Sequence, residues 1–203
     1  MPMPHRIVLA SASPRRRELL AQAGHACEVI ASTVAEIPAP GEAPESYCAR
    51  NAREKAHDVF RNRASECTGA VVVAADTIVV SPEGRILEKP ADAKHARAML
   101  GSLSGRTHRV LTGICLLSGD DGHEYATEVV STQVLFRALS EADIEAYIAT
   151  GEPFDKAGSY GIQGRAASFV RSLQGSYTNV VGLPLCEVVV HLERLLAPRK
   201  GTQ

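Results

Sequence analysis

Tryptophan is absent from the 203-residue sequence and aromatic residues make up only 4% of it. The chain therefore lacks the stacking platforms on which proteins bind single-stranded nucleic acid. Its 22 basic and 23 acidic residues give a formal net charge of −1. This balance excludes a general basic field that would attract DNA or an anionic membrane surface. We expect no nucleic-acid partner and no membrane partner, and any basic site must be local.

Paired cysteines and long apolar runs are also missing. The five cysteines are scattered and never form a C-x-x-C pair, which favours buried thiols in a reducing compartment over disulfides or zinc. No apolar run reaches transmembrane length, and the first five residues are too short for a signal peptide. The sequence is typical of a cytoplasmic protein. Its length suits a single domain, 1–203, with loose termini at 1–5 and 198–203.

Apolar periodicity predicts strands that alternate with helices, and therefore an α/β fold. The predicted strands are 7–10, 71–80, 108–117, 127–136 and 168–173. The predicted helices are 14–24, 44–65, 140–151 and 183–196, together with a helix that carries Ala96, Met99, Leu100 and Leu103 before Gly105. Residues 86–90 read as an extended piece or a hairpin return, and residues 33–44 and 153–164 as loops.

The segment LASASPRRR, Leu9 to Arg17, is a candidate anion site. It leads from a short strand into a helix whose N-cap is Ser13, and the N–H groups at a helix start carry partial positive charge. The hydroxyl of Ser13 and the guanidinium groups of Arg15 and Arg16 would add donors suited to phosphate. A capped helix with a solvated arginine face is the alternative interpretation.

Asp76 interrupts the apolar strand 71–80. A buried carboxylate costs stability unless it is paired with a base or a metal. One interpretation is a general base or metal ligand, and the other is a strand-end Asp that binds loop amides.

Further charged and polar residues are ambiguous when taken singly. Lys55 flanks the apolar stripe of its helix and should point partly inward, although a snorkelling lysine has the same pattern. Lys89 precedes a proline, which extends its backbone. Glu36 is a metal ligand or a solvated loop residue, and Gln163 lies in a glycine-rich loop, where its amide has a donor and an acceptor for a base edge.

Together, seven segments resemble the Maf family of nucleoside triphosphate pyrophosphatases. In chain order they are LASASPRRRELL, NAREKA, AADTIV, LEKPADAKHA, LSGRTHRVLTG, GEPFDKAGSYGIQG and GSYTNVVGLPL. The resemblance implies a Maf/ITPase-like α/β fold, with an elongated mixed central sheet flanked by helices and two lobes around a cleft. It also implies a homodimer and hydrolysis of a nucleoside triphosphate to the monophosphate and pyrophosphate with a divalent metal cation, Mg²⁺ or Mn²⁺.

Carried over to this sequence, the resemblance assigns roles to individual residues. Ser13, Arg15 and Arg16 would hold the phosphates. Glu36 and Asp76 would serve the metal, and Asp76 would also be the base that activates the attacking water. This chemistry suits phosphoryl transfer, which needs positioned cations and an oriented water more than covalent catalysis.

Two lysines and the base-specificity residues complete the implied site. Lys55 and Lys89 would neutralise charge that develops on the phosphoryl oxygens. Thr77 and Gln163 are similar to the branch that acts on dTTP and UTP, since a Gln amide pairs with the O4 and N3–H groups of uracil or thymine. With Arg15, they are the implied specificity residues.

Two alternatives stay open on the sequence. One is a regulatory nucleotide-binding protein that acts in septum formation and cell-division arrest. The other is a pyrophosphatase of another base specificity, such as 7-methyl-GTP, whose branch has Gln after the catalytic Asp. The intact set of Asp76, Lys55 and Lys89 favours catalysis over binding alone, and modified pyrimidine nucleotides are substrates to consider beside dTTP and UTP.

Overall fold

A seven-stranded mixed sheet flanked by helices organises the computed structural model, which describes residues 6–196. The strands are β1 (Arg6–Leu9), β2 (Glu28–Val29), β3 (Ala70–Val80), β4 (Ile86–Leu87), β5 (Thr107–Ser118), β6 (Glu124–Phe136) and β7 (Val170–Gln174). The helices are α1 (Pro14–Gln22), α2 (Pro44–Asn62), α3 (Ala64–Cys67), α4 (Ala93–Leu103), α5 (Glu141–Ile148), α6 (Tyr177–Val181) and α7 (Leu185–Leu196). The predicted α/β class is confirmed.

The sheet has the order β2-β1-β3-β5-β6-β7, and β4 pairs separately with β3. β1 runs parallel to β2 and β3, whereas the pairs from β3 to β7 are antiparallel. β4 is also antiparallel to β3, so Ile86 and Leu87 of the predicted stretch 86–90 form a hairpin return. The sheet is therefore mixed, as expected.

β3 has one continuous edge and one interrupted edge. β5 covers the first edge over almost the whole strand. On the other edge, β1 pairs with residues 70–73 and β4 pairs with Val79 and Val80. Within residues 6–196, no strand pairs with this edge over residues 74–78. The polar pair Asp76-Thr77 lies in this gap.

Side chains along β3 alternate between two buried faces. Ala74 belongs to the apolar cluster under α2, and Ala75 to the cluster under α1 and α7. Burial on both faces explains the almost continuous apolar composition of the strand. By the same alternation, Asp76 lies on the face covered by α2 and Thr77 on the opposite face.

The segment between α5 and β7 consists mainly of short 3₁₀ turns, at Glu152–Asp155, Ala157–Ser159 and Arg165–Phe169. Tyr160, from this segment, is buried in a cluster with Val79 and with residues of α4 and α5. The segment that was predicted as a glycine-punctuated loop is thereby anchored next to the end of β3.

Several predicted boundaries need correction. The helix expected over 44–65 is divided at Arg63, whose backbone (φ −135°, ψ 37°) leaves the helical region. The last helix begins at Leu185 because the Pro184 carbonyl accepts the first bond, from the Val188 N–H. β2 and α6 were not predicted, and both are very short. The predicted loose termini, 1–5 and 198–203, lie outside the described residues.

None of the helices in residues 6–196 is both long enough and apolar enough to span a membrane.

Candidate functional site

A cavity of about 900 Å³ opens beside the gap in the edge of β3. Its wall comes from the start of α1, from α2, from β3 and the hairpin that follows it, from the segment 152–164, and from the end of α6. All nine site residues predicted from the sequence line this wall: Ser13, Arg15, Arg16, Glu36, Lys55, Asp76, Thr77, Lys89 and Gln163. Asp76 and Thr77 point to opposite faces of the sheet, yet both reach the cavity because it extends around the unpaired edge.

Asp76 is the buried acid of the site, with only 4% of its surface exposed. Its Oδ1 accepts a hydrogen bond from Lys55 Nζ at 2.6 Å, and its Oδ2 accepts one from Asn51 Nδ2 at 3.0 Å. Asn51 and Lys55 lie one turn apart on α2 and therefore share a face of the helix. The pairing offsets the cost of burying the carboxylate.

Lys55 connects two carboxylates. Its Nζ lies 2.5 Å from Glu36 Oε1 as well as 2.6 Å from Asp76 Oδ1. The Lys55 side chain is 10% exposed and that of Glu36 is 43% exposed. The ammonium therefore faces the cavity from the buried side, and Glu36 approaches it from the solvent side.

The carboxylates of Glu36 and Asp76 suit a divalent cation such as Mg²⁺. Both residues offer carboxylate oxygens, the ligands that Mg²⁺ prefers. Among residues 6–196, no group of three or more His, Cys, Asp and Glu side chains is arranged to hold a metal. The pair therefore suits a cation that takes its other ligands from phosphate groups and water, as Mg²⁺ usually does, and not one held in a protein cage.

The start of α1 differs in one respect from the prediction. Ser13 occupies the N-cap position with an extended backbone, but its side chain makes no capping hydrogen bond. The N–H of Ser13 donates instead to Ser11 Oγ, at 3.3 Å. Its hydroxyl, at the cavity wall, is not used to cap the helix.

Arg16 is already bound to protein groups. It donates to the Gly182 carbonyl at 2.7 Å, to Ser11 Oγ at 2.9 Å and to Thr77 Oγ1 at 3.1 Å. Burial lowers the pKa of its guanidinium, while the charges of Asp76 and Glu36 act in the opposite direction. Arg16 therefore tethers α1 to β3 and to the end of α6, and its charge lies within the site.

Arg15 is less constrained. Its nearest acidic partner is Asp155 on the opposite wall, with 3.9 Å between Nη1 and Oδ2. Both side chains are substantially exposed, 35% for Arg15 and 67% for Asp155. Such a contact is weak, so Arg15 is free to turn toward an anion in the cavity.

Thr77 belongs to a chain of hydrogen bonds that runs into the core. It accepts from Arg16, and its Oγ1 lies 2.9 Å from Thr112 Oγ1. Thr112 in turn donates to the Asn179 carbonyl at 3.0 Å. Because the Thr112 proton is used there, Thr77 donates to Thr112, and Thr77 Oγ1 also lies 3.4 Å from the Gly182 carbonyl oxygen.

Gln163 is exposed, and the backbone on both sides of it is fixed by hydrogen bonds. The N–H of Gly161 donates to the Tyr147 hydroxyl at 3.2 Å, and the N–H of Arg165 donates to Glu152 Oε2 at 3.1 Å. A Cβ on Gly164 would lie 2.1 Å from Glu152 Oε2, so a side chain at this position would displace the Glu152 carboxylate from the Arg165 N–H. The backbone thus fixes where the Gln163 amide starts, and the side chain extends into open space.

Lys89 is exposed and follows β4. The neighbouring Glu88 accepts a hydrogen bond from the Tyr47 hydroxyl at 2.9 Å, which ties this hairpin to α2. Burial raises the pKa of the Tyr47 hydroxyl, so it stays a hydrogen-bond donor at neutral pH.

Sequence reasoning missed three residues that line or support the cavity: Tyr47, Asn51 and Lys156. For Asn51 a signal was present, because it lies one helical turn before Lys55 in NAREKA and so shares its face. Lys156 had no such signal. Its Nζ donates to the Glu152 carbonyl at 2.8 Å and to Asp155 Oδ1 at 2.5 Å, contacts that depend on how the segment folds.

Residues 6–195 match the model of a family described as Maf-like protein. A dTTP/UTP pyrophosphatase of Syntrophotalea carbinolica is 52% identical over 193 residues, 95% of this chain and 86% of that protein. A dTTP/UTP pyrophosphatase of Myxococcus xanthus is also 52% identical, over 95% of this chain and 93% of that protein. Among solved structures, a nucleoside-triphosphatase / dITP/XTP pyrophosphatase from Mycobacterium abscessus aligns with 95% of this chain and 96% of its own, at 18% identity and a TM-score of 0.43.

Proposed function

The chain belongs to the Maf family, and we propose that it is a nucleoside triphosphate pyrophosphatase that hydrolyses dTTP and UTP to the monophosphate and pyrophosphate. The observation that carries this proposal is the convergence of Glu36, Lys55 and Asp76 in one cavity, with Lys55 Nζ 2.5 Å and 2.6 Å from the two carboxylates. The names of the relatives support the choice of substrate.

Asp76 is the group that activates the water. Asn51 holds Oδ2, and Oδ1 is directed toward Lys55 and the cavity. The carboxylate accepts a proton from the water while the water oxygen attacks the α-phosphorus. The bond from that phosphorus to the oxygen that bridges it to the β-phosphorus breaks, and pyrophosphate leaves. This is general base catalysis by a fixed, water-shielded carboxylate.

Glu36 and Asp76 would hold a Mg²⁺ or Mn²⁺ ion, which when bound would neutralise negative charge on the phosphates. Lys55 adds a positive charge beside both carboxylates, and Lys89 approaches from the exposed side of the cavity. Both lysines stabilise charge on the phosphoryl oxygens as the bond breaks.

The start of α1 binds the phosphate chain. Ser13 offers a hydroxyl that does not cap the helix, and Arg15 leaves its weak contact with Asp155 to bind a phosphate oxygen. Arg16 acts mainly through its charge and through the placement of α1, because its nitrogens already donate to protein groups.

Base recognition falls to Thr77, Gln163 and Arg15. The Gln163 amide supplies an acceptor for the N3–H of uracil or thymine and a donor for O4. Thr77 lines the cavity, and its Oγ1 accepts a hydrogen bond from Arg16. A purine presents a larger ring and a different arrangement of donors and acceptors.

The experiment is a panel of nucleoside triphosphates assayed for pyrophosphate release with Mg²⁺ or Mn²⁺. We expect dTTP and UTP to be cleaved much faster than ATP, GTP or 7-methyl-GTP. Asp76→Asn should lower turnover of dTTP by roughly 10²- to 10⁴-fold, the usual contribution of a general base. Asp92→Asn is the matched control, because Asp92 caps α4 outside the cavity and Asn caps equally well.

Two outcomes would contradict the proposal. Full activity in Asp76→Asn would remove Asp76 from the role of base. A preference for 7-methyl-GTP would overturn the assignment of Thr77 and Gln163.

The same proposal includes one Maf-like domain over residues 1–203, a homodimer and a cytoplasmic location. The family match over residues 6–195 supports the single domain. Sedimentation velocity on the purified chain tests the dimer, and a monomer at micromolar concentration would contradict it.

A further inference from the structure

Glu36 lies on a segment without regular secondary structure, residues 30–43, between β2 and α2. Its side chain is 43% exposed, yet its Oε1 lies 2.5 Å from Lys55 Nζ. A side chain on an irregular surface segment keeps such a position only where contacts elsewhere fix the backbone. Two sets of contacts with α2, one on each side of Glu36, do so here.

Asp58 binds the segment on the N-terminal side of Glu36. Its Oδ2 accepts from Ser32 Oγ at 2.8 Å and from the Thr33 N–H at 2.8 Å. Ser32 Oγ also accepts from the Val34 N–H at 3.2 Å. The hydrogen bond from the Thr33 backbone is the main cause that lowers the pKa of Asp58, so these bonds are made to a charged acceptor and are correspondingly strong.

Arg50 binds the segment on the C-terminal side. Its Nε and Nη2 each donate to a carboxylate oxygen of Glu42 at 2.8 Å. The same Nη2 donates to the Ile37 carbonyl, directly after Glu36, at 3.0 Å. Glu42 Oε2 also accepts from the Ala39 N–H at 3.0 Å. The hydrogen bonds from Arg50 lower the pKa of Glu42 to about 2, so the ion pair persists at every pH of physiological interest.

We propose that Arg50 and Asp58 are positioning residues that hold Glu36 at the metal site. The inference rests on the proposed function, because it concerns the same site. Neither residue lines the cavity, so neither touches substrate or metal. Both lie on α2, the helix that also carries Lys55 and Asn51, and one rigid element therefore sets the separation of Glu36 and Asp76.

The test compares Arg50→Gln and Asp58→Asn with a matched control, Arg53→Gln. Arg53 is on the same helix, but its guanidinium donates to Glu124, and within residues 6–196 it forms no hydrogen bond with the segment 30–43. Amide exchange over residues 32–42 should be faster in both variants and unchanged in the control. The Mn²⁺ concentration for half-maximal binding should rise roughly 10- to 100-fold, as is typical when a supporting partner of a metal ligand is lost.

Mn²⁺ binding is measured by electron paramagnetic resonance in the presence of a dTTP analogue whose α–β bridging oxygen is a methylene group. This readout does not require turnover. In steady-state assays, the KM for dTTP at saturating Mn²⁺ should stay near that of the wild type. Circular dichroism establishes that each variant is folded, and two separate variants guard against the failure of one.

A double variant separates positioning from a general structural role. If Arg50 acts through Glu36, then Arg50→Gln should weaken Mn²⁺ binding little further in a Glu36→Gln background. Additive losses, or wild-type Mn²⁺ binding in Arg50→Gln despite faster amide exchange, would overturn the inference.

Failure of the proposed function has a different signature. If the wild type cleaves neither dTTP nor UTP, the proposed function fails. Amide exchange over residues 32–42 and Mn²⁺ binding still report whether Arg50 and Asp58 hold Glu36.

Discussion

At the scale of single residues, two buried side chains, Asp76 and His108, have specific polar partners. Asp76 is bound by Asn51 and Lys55, and His108 lies with Nε2 2.8 Å from the Tyr160 hydroxyl. The His108 ring, 1% exposed, also packs edge-on against Phe136 at 4.9 Å between centroids. Asp76 therefore has a cationic partner, whereas the partner of His108 is a neutral hydroxyl.

Burial lowers the pKa of His108 to about 4, so the ring is neutral in the folded protein at neutral pH. The unfolded chain binds a proton near the ordinary value of about 6.5. Stability from this residue is therefore complete above pH 6.5 and is lost as the pH falls toward 4. By pH 5 the loss should be on the order of 2 kcal/mol in the free energy of unfolding.

Urea denaturation of the wild type and of His108→Gln at several values between pH 7 and pH 5 measures this effect. The variant should lose less stability on acidification than the wild type. His123→Gln, at an exposed position, should behave as the wild type does. Equal pH dependence in wild type and His108→Gln would show that the ring is protonated in the folded state.

At the scale of elements, the contact between α2 and the sheet is unusually close at one point. A Cβ on Gly113 of β5 would lie only 2.4 Å from the Cys48 carbonyl oxygen of α2. Cys48 Sγ accepts from the Gly113 N–H at 2.9 Å and donates to the Asp76 carbonyl at 3.1 Å. Glycine at this position lets the helix approach β3 closely enough for its side chains to reach Asp76.

Gly113→Ala should therefore displace α2 and separate Lys55 and Asn51 from Asp76. We expect about 1–3 kcal/mol of destabilisation, as for overpacking in a core, together with reduced dTTP turnover. Thermal unfolding and pyrophosphate release measure the two effects.

Gly101→Ala is the matched control, because a Cβ there meets nothing within 4 Å and the residue lies inside α4. It should leave turnover unchanged and raise stability by up to about 1 kcal/mol through helix propensity. Undiminished turnover in a folded Gly113→Ala protein would show that the close approach does not matter for the site.

The N-termini of α5 and α1 show how well residue type alone predicts a helix cap. The sequence Ser140-Glu-Ala-Asp143 predicts a capping box for α5, with Asp in the place of the usual Glu. Both reciprocal hydrogen bonds are present, and the prediction is confirmed. The predicted N-cap position of Ser13 in α1 is confirmed, but its side chain forms no capping hydrogen bond although the residue type suits one.

At the scale of the whole molecule, the cavity draws its wall from the beginning, middle and end of the described chain. Residues 10–16, 76–89, 152–164 and 180–182 all contribute. A ligand that contacts all these segments binds the folded chain and not the unfolded one. It should therefore stabilise the molecule against global unfolding.

We expect the methylene analogue of dTTP, with Mn²⁺, to raise the free energy of unfolding by about 2.7 kcal/mol at a hundred times its Kd. The measurement is a denaturation curve at several analogue concentrations. The corresponding ATP analogue at equal concentration is the control and should have a much smaller effect. Equal stabilisation by both would contradict the assigned base recognition.

The sequence by itself determined what depends on local spacing and residue type. The apolar run of β3, the stripe of α2 and the motif segments predicted the α/β class. The resemblance of the motif segments to the Maf family, and not the apolar pattern, implied the set of nine residues that all line the cavity. The unpredicted elements β2 and α6 have too few residues for a recognisable period, and their formation depends on packing and pairing with neighbours.

The tertiary structure alone decided which atoms meet. Two short strands share one edge of β3 and leave a gap, so Asp76 and Thr77 reach one cavity from opposite faces. Arg16 is committed to protein acceptors while Arg15 is not, although the two are adjacent and chemically identical. Such differences arise from contacts between residues far apart in the chain, and no local pattern encodes them.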